Sequence, residues 1–223
     1  MYILALNTAT RYCSVALGLY SQNSRIVCMR KAWDANMHAE CLLEFIELTL
    51  RTAKVDYRDV VLAVNIGPGS FTGLRIGIAA ARGINLAAHN GAIVPVTLFD
   101  MVRYRAHEQF KGRYDHMITL CRATPTKSFY AVFAQESQDP VRFDTVDNAR
   151  IPQFLEGLGG VVVLAGEIPI CTYQMLVGRY PILPRFPEPD ARFVAHVAFK
   201  KTRAPDWQKS AHDVSPIYLN SSW

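Results

Sequence analysis

The first hundred residues alternate between short apolar runs and polar turns, and the period of the pattern changes along the chain. "YILALNTA" (2–9), "SVALGLY" (14–20) and "RIVCMRKA" (25–32) are rich in Ile, Leu and Val and are separated by "TRY" and "SQNS". This predicts three strands in an antiparallel meander. Over 38–53 the period becomes helical: Leu42, Leu43, Phe45, Ile46 and Leu50 recur between Glu40, Glu44, Glu47 and Arg51, as in an amphipathic helix. "DVVLAVNIG" (59–67) reads as a buried strand, followed by a glycine-rich turn, a helix from about Phe71 to Ala88 and the strand "AIVPVT". The order β-β-β-α-β-α-β predicts a mixed sheet with helices packed on it, in the ribonuclease H-like layout.

Around "RYRAHEQFKGRYDH" (103–116) the chain becomes polar and charged, and a domain boundary is expected there, with a first lobe over 1–105 and a second over 106–223. "HMITLCRATPTKSFYAVFAQ" then repeats the strand-turn-strand pattern of the amino terminus, which hints at duplication. "VVVLAGE" reads as a buried strand ending at Gly166, and "YPILPRFPEPDAR" as an extended surface connection. "ARFVAHVAFKK" (191–201) reads as a short helix with Phe193, Val194, Val197 and Ala198 inward and a cationic end that suits a helix C-terminus. The last segment could pack back on the first lobe.

At 223 residues, half of them apolar, the chain can bury a sizeable core. Five cysteines lie scattered through apolar runs without a CxxC pair or a secretory leader, which predicts reduced, structural thiols in a cytoplasmic protein. No apolar stretch reaches the ~20 residues of a membrane span. The net charge of +5 comes without a Lys/Arg run, so contact with RNA is permitted but not indicated.

The candidate chemistry centres on "NIGPGSFTGLRIGIAAARG" (65–83). It is not a P-loop: counting from Gly67, Thr72-Gly73-Leu74 stand where Gly-Lys-Ser/Thr belongs. A dinucleotide fingerprint would need glycine at Thr72. A nucleophile elbow would need glycines at Pro68 and Thr72 around Ser70. Two readings remain, an anion held by backbone amides at the helix N-terminus with Ser70 or Thr72 capping, or a plain tight turn. The helix behind it carries Gly73, Gly77, Ala80, Ala81 and Gly83 beside Leu74, Ile78, Ile84 and Leu86. Interior glycines cost about 1 kcal/mol each relative to alanine, so a close backbone approach should compensate. With apolar character nearly all round this helix, the preferred partner is a helix of another chain.

"ILALNTATRYCSVAL", "HAECLLEFIELTL" and above all "VNIGPGSFTGLRIGIAAARGINLA" resemble the bacterial TsaB family, also called YeaZ. The resemblance is dense over the first hundred residues and loose beyond about 105. It implies an α/β, actin-like ATPase (ASKHA, ribonuclease H-like) fold of two related lobes with mixed sheets flanked by helices. It also implies a non-catalytic subunit in the synthesis of threonylcarbamoyladenosine beside the tRNA anticodon. Such a subunit supports the transferase TsaD, with the ATPase TsaE joining the complex, tRNA reached through that complex, and a homodimer open to the free chain. No catalytic residue and no metal are expected: where the catalytic paralogue sets two histidines four apart, His38 is followed by Leu42. The resemblance places Asn7 where actin-like ATPases hold a metal-positioning aspartate, and an amide lacks the charge Mg²⁺ favours. No cofactor is therefore required. At most weak ATP or ADP binding is allowed, with Asn7, Thr8, Thr10, Gly67, Gly69, Ser70 and Gly166 as candidate phosphate contacts. The candidate partner interface is His38, Leu42, Phe45 and Ile46 on the first helix and Leu74, Ile78, Arg82 and Asn85 on the second. The rival readings are an active nucleotide hydrolase or kinase, against which Asn7 speaks, and a metalloprotease, for which no HExxH is present.

Overall fold

The computed structural model describes residues 1–21, 24–33, 38–88, 91–111, 113–135, 137, 139–183, 189–205, 207–210 and 214–219. Two compact units are formed, Met1–Leu98 with Glu188–Tyr218, and Phe99–Pro187 with Leu219–Trp223.

The first unit is built on a five-stranded sheet of order β3-β2-β1-β4-β5. Its strands are β1 (Tyr2–Asn7), β2 (Tyr12–Leu19), β3 (Arg25–Trp33), β4 (Val60–Asn65) and β5 (Ile93–Val96). β1 pairs antiparallel with β2, with Leu6 opposite Val15, and parallel with β4, with Leu6 opposite Val64. β1 and β4 are buried on both faces, as continuous apolar runs at the centre of a covered sheet should be. Helices α1 (His38–Ala53) and α2 (Phe71–Ala88) cover one face. Leu42, Ile46 and Leu50 of α1 and Ile78 and Ala81 of α2 share a core with Leu4, Leu6, Val15 and Val64. α6 (Ala191–Lys201) packs on β1 and β2 too, yet contributes no side chain to that core, so it covers the opposite face. Ala191, Val194, Ala195, Val197 and Ala198 are its buried positions, whereas Phe193 is only half-buried.

The second unit repeats the plan, its sheet running β10-β9-β6-β7-β8. The strands are β6 (His116–Arg122), β7 (Lys127–Ala134), β8 (Arg142–Asp147), β9 (Val162–Gly166) and β10 (Ile182–Leu183). β6 pairs antiparallel with β7 and parallel with β9, as β1 does with β2 and β4. The fold is therefore the expected pair of mixed sheets flanked by helices.

The polar stretch from Arg103, where a domain boundary is expected, is not a break in regular structure. It lies largely in α3 (Leu98–Phe110), which buries Phe99, Met101, Val102 and Ala106. Phe99, Val102 and Ala106 fall on one helical face, and the charged residues that follow sit mostly on the other. α4 (Ile151–Glu156), α5 (Ile170–Leu176) and α7 (Trp207–Ser210) complete the described helices. Much of the Pro-rich stretch, 184–188, lies outside the described residues.

Candidate functional site

The carboxyl ends of β1 and β4 are where a doubly wound sheet binds ligands, and each strand ends there in a buried asparagine, Asn7 and Asn65. Their side chains satisfy one another and the chain itself. Asn65 Nδ2 donates to Asn7 Oδ1 at 2.9 Å, Asn65 Oδ1 accepts from the Gly67 amide at 2.9 Å, and Asn7 Nδ2 donates to the Pro189 carbonyl at 2.7 Å. Ser14 Oγ accepts from the Ala191 amide at 3.0 Å, joining the start of α6 to the same network. Thr10 Oγ1 accepts from the Tyr12 amide at 3.4 Å and lies 3.5 Å from Asn7 Nδ2.

The glycine turn closes onto the chain as well. Ser70 donates its amide to the Ala9 carbonyl at 2.9 Å, and Ser70 Oγ accepts from the Gly73 amide at 3.2 Å, capping α2. A Cβ at Gly69 would collide with the Ala9 carbonyl, the same oxygen that accepts from the Ser70 amide, so the β1–β2 turn lies directly against the glycine turn. Gly67 has φ of +112°, a region that favours glycine. Thr8 Oγ1 donates to the Gly73 carbonyl at 2.7 Å, and a Cβ at Gly77 would strike the same hydroxyl oxygen. Gly166 belongs to the second unit. Its φ of +108° and its approach to the Leu120 carbonyl require glycine for backbone reasons. The candidate phosphate contacts of the first unit are thus brought together, but they are engaged by atoms of the protein itself. Beside Gly166, burial and then the Glu167 charge push the Cys121 thiol pKa up.

The candidate interface residues divide. Leu42, Ile46, Leu74 and Ile78 lie at 1%, 1%, 1% and 4% exposure in the chain's own core, so they cannot meet a partner. Helical spacing turns one apolar stripe of each helix onto the sheet, and these four lie on it. Phe45 is half-buried at the core's edge. Arg82 is exposed, its guanidinium donating to the Val214 carbonyl at 2.9 Å. Asn85 is half-buried, with Oδ1 shielded and unpartnered among the described residues. His38 opens α1, and its side chain lies outside the described residues.

The outward positions are Glu40, Leu43, Glu44, Glu47 and Arg51 on α1 and Arg75, Ala79, Arg82, Gly83 and Leu86 on α2, each set at helical spacing. Leu43 is 61% and Leu86 77% exposed. Gly83 has nothing within 4 Å of where its Cβ would be, among the described residues. The sequence reading did not single out Asn65 at the strand end, nor the outward placement of Leu43 and Leu86. Asn65 had a visible signal, since "YILALN" and "VVLAVN" end alike.

This architecture, a duplicated sheet with strand order and pairing repeated, defines an α/β protein of two related mixed sheets flanked by helices. The family model for TsaD, tRNA N6-adenosine threonylcarbamoyltransferase, matches residues 33–141. The chain is 38% identical over 107 residues to the tRNA threonylcarbamoyladenosine biosynthesis protein TsaB of Escherichia coli K12, covering 46% of this chain and 43% of that protein. It is 27% identical over 143 residues to the TsaB of Haemophilus influenzae, covering 64% and 56%. It thus spans about half the length of the curated relatives it matches. Two Pseudomonas aeruginosa structures share the fold over 98% of this chain and 99% of theirs. One is a protein with similarity to peptidase YEAZ (TM-score 0.72, 22% identity) and the other is YeaZ (0.70, 21%). The sequence matches are thus to TsaB proteins over part of their length, and the YeaZ structures share the fold.

Among the described residues no helix is long and apolar enough to cross a membrane, and no group of three or more His, Cys, Asp or Glu is placed to hold a metal.

Proposed function

We propose that this chain is an accessory subunit in threonylcarbamoyladenosine synthesis on tRNA, acting in the cytoplasm. It docks to a TsaD-type transferase through the outward faces of α1 and α2 and performs no chemistry itself. Gly83 is the observation that carries the docking face. A glycine inside a helix costs about 1 kcal/mol relative to alanine. Gly77 is explained by Thr8 and Gly67 by its φ, whereas nothing described in the chain crowds Gly83. A close approach by another backbone accounts for it. Leu86, three residues on, and Leu43 on the adjoining helix would supply apolar contact, with Arg82 and Asn85 at the margin. The same face serves a homodimer of the free chain, and TsaE joins the assembled pair.

The absence of catalysis is supported by the strand-end network. An aspartate-Mg²⁺ arrangement would need a free carboxylate facing solvent, whereas Asn7 is buried and hydrogen-bonded to Asn65 and Pro189. No cofactor is needed on this reading, and ATP or ADP would bind at most weakly. The test is reconstitution: cognate TsaD, TsaE, tRNA and a source of the activated threonylcarbamoyl group are combined with and without this chain, and modified adenosine is measured. Modification should depend on the chain, and the chain without TsaD should yield none. Modification by the lone chain would overturn the proposal.

A further inference from the structure

We infer that the outward face of α6 binds the phosphate backbone of RNA. The choice of RNA as the polyanion rests on the tRNA-modification role proposed above. Arg192, His196 and Lys200 recur every four residues, so they fall within one stripe at helical spacing, and the exposed Arg203 follows in the turn just beyond the last helical residue, Lys201. Arg192 to Lys200 alone spans about 12 Å. Between Asp190 and Asp206 the sequence holds four cations and no carboxylate. Lys31 of β3 extends the patch, its Nζ 3.7 Å from Asp190 and 3.3 Å from the centre of the Tyr12 ring.

Helix stability accounts for only part of this charge. Cations near a helix C-terminus are favoured by the macrodipole, which suits Lys200 and Lys201, but a cation in the first turn is disfavoured. Arg192 sits in that first turn, its side chain half exposed, held by two hydrogen bonds of 3.0 and 2.8 Å to the N-cap residue Asp190. This fork fixes the guanidinium rather than leaving it to wander. His196 is likewise fixed, with Nδ1 3.0 Å from the Tyr20 hydroxyl. Arg192 and Lys31 share the single carboxylate of Asp190, which leaves the group net positive, and cations held along one face suit a row of phosphates, with His196 among them as a hydrogen-bonding imidazole.

The surface chemistry separates RNA from an anionic membrane. A helix lying in a lipid interface must present an exposed apolar face, but the apolar side of α6 is buried on its own sheet and none of its residues is among the exposed large hydrophobics. The patch also lies on the opposite sheet face from α1 and α2, so RNA and a protein partner can be held together.

The test is the salt dependence of binding between the full chain and an unmodified tRNA transcript. The double variant Lys200→Gln/Arg203→Gln should lower the slope of log K against log[salt] by about two, roughly one for each phosphate left without its cation. Its melting temperature should fall only by the small macrodipole contribution of Lys200. Arg75→Gln/Arg82→Gln, on α2, should leave the slope as in the wild type. An unchanged slope in the α6 variant overturns the inference, as does failure of the wild-type chain to bind tRNA at low salt. So does an α6 variant that loses TsaD while keeping its tRNA slope, which would mark the patch as a protein-binding surface. Because α6 is remote from the proposed TsaD face, failure of the accessory role appears separately, as loss of chain-dependent modification with the salt slope intact.

Discussion

Asn65 donates its side-chain amide to Asn7 Oδ1 across 2.9 Å with both residues fully buried, locking together the ends of the two central strands. Asn7 at the same time donates to Pro189, so it needs one donor and one acceptor. Asn7→Asp removes the donor and sets a carboxylate against a carbonyl oxygen. Leaving a buried polar group unsatisfied costs about 1–3 kcal/mol, more when it is charged. The substitution should lower the urea midpoint accordingly and yield no Mg-ATP turnover. A gain of ATPase activity would show that the site is a dormant catalytic one.

Gly77 and Gly83 should respond oppositely to alanine. Gly77→Ala drives a Cβ into the Thr8 hydroxyl and should lower stability. Gly83→Ala meets no described atom and should raise stability by up to about 1 kcal/mol. Thermal unfolding of the two variants distinguishes them, and a destabilised Gly83→Ala chain would mean the glycine serves the fold.

Charged substitutions on α1 and α2 should sort by burial. Leu74→Arg and Ile78→Glu place charge in the core at 1% and 4% exposure and should unfold the chain, because an unpaired buried charge is among the most destabilising changes. Leu43→Arg and Leu86→Arg lie on the surface and should change stability by no more than the roughly 0.5 kcal/mol usual for such sites. Circular dichroism melts check both halves.

Alkaline pH should loosen the core. Burial first, and then the hydrogen bond and charge of Cys41, push the Cys13 thiol well above its ordinary range. Burial does the same to Cys121. A pKa raised in the folded state means that the unfolded chain releases its proton first, at about pH 8.5. The contribution is therefore complete below that pH and declines above it, by about 1.4 kcal/mol per unit for each thiol. Cys121→Ala should flatten the fall in stability between about pH 8.5 and 10, as read by denaturant unfolding. An equal pH slope in variant and wild type would contradict this.

The parts of the molecule legible in its sequence are those where period and burial coincide. β1, β4, α1 and α2 were all readable because a strand buried on both faces is apolar throughout and an amphipathic helix shows its stripe. α3 was obscured because Arg103, Arg105 and Glu108 dominate its second half, while its buried face begins earlier, at Phe99. Leu42, Ile46, Leu74 and Ile78, expected at an interface, are buried in the core for a different reason. α2 is small or apolar on most sides, so its period alone does not say whether Leu74 or Leu86 faces the sheet; that is decided by the turn at 67–70, which fixes the helix phase through Ser70 and Ala9. The return of 189–191 to the end of β1 through Asn7 and Ser14 is a long-range contact that no local pattern encodes.

The docking claim is tested most directly by calorimetric titration of cognate TsaD with the wild-type chain, Gly83→Ala and Leu86→Arg. Both variants should remain folded, with Gly83→Ala binding at least about tenfold more weakly, a loss of about 1.4 kcal/mol, and Leu86→Arg showing no measurable association. Wild-type affinity in both would contradict the assignment of this helix face to a partner.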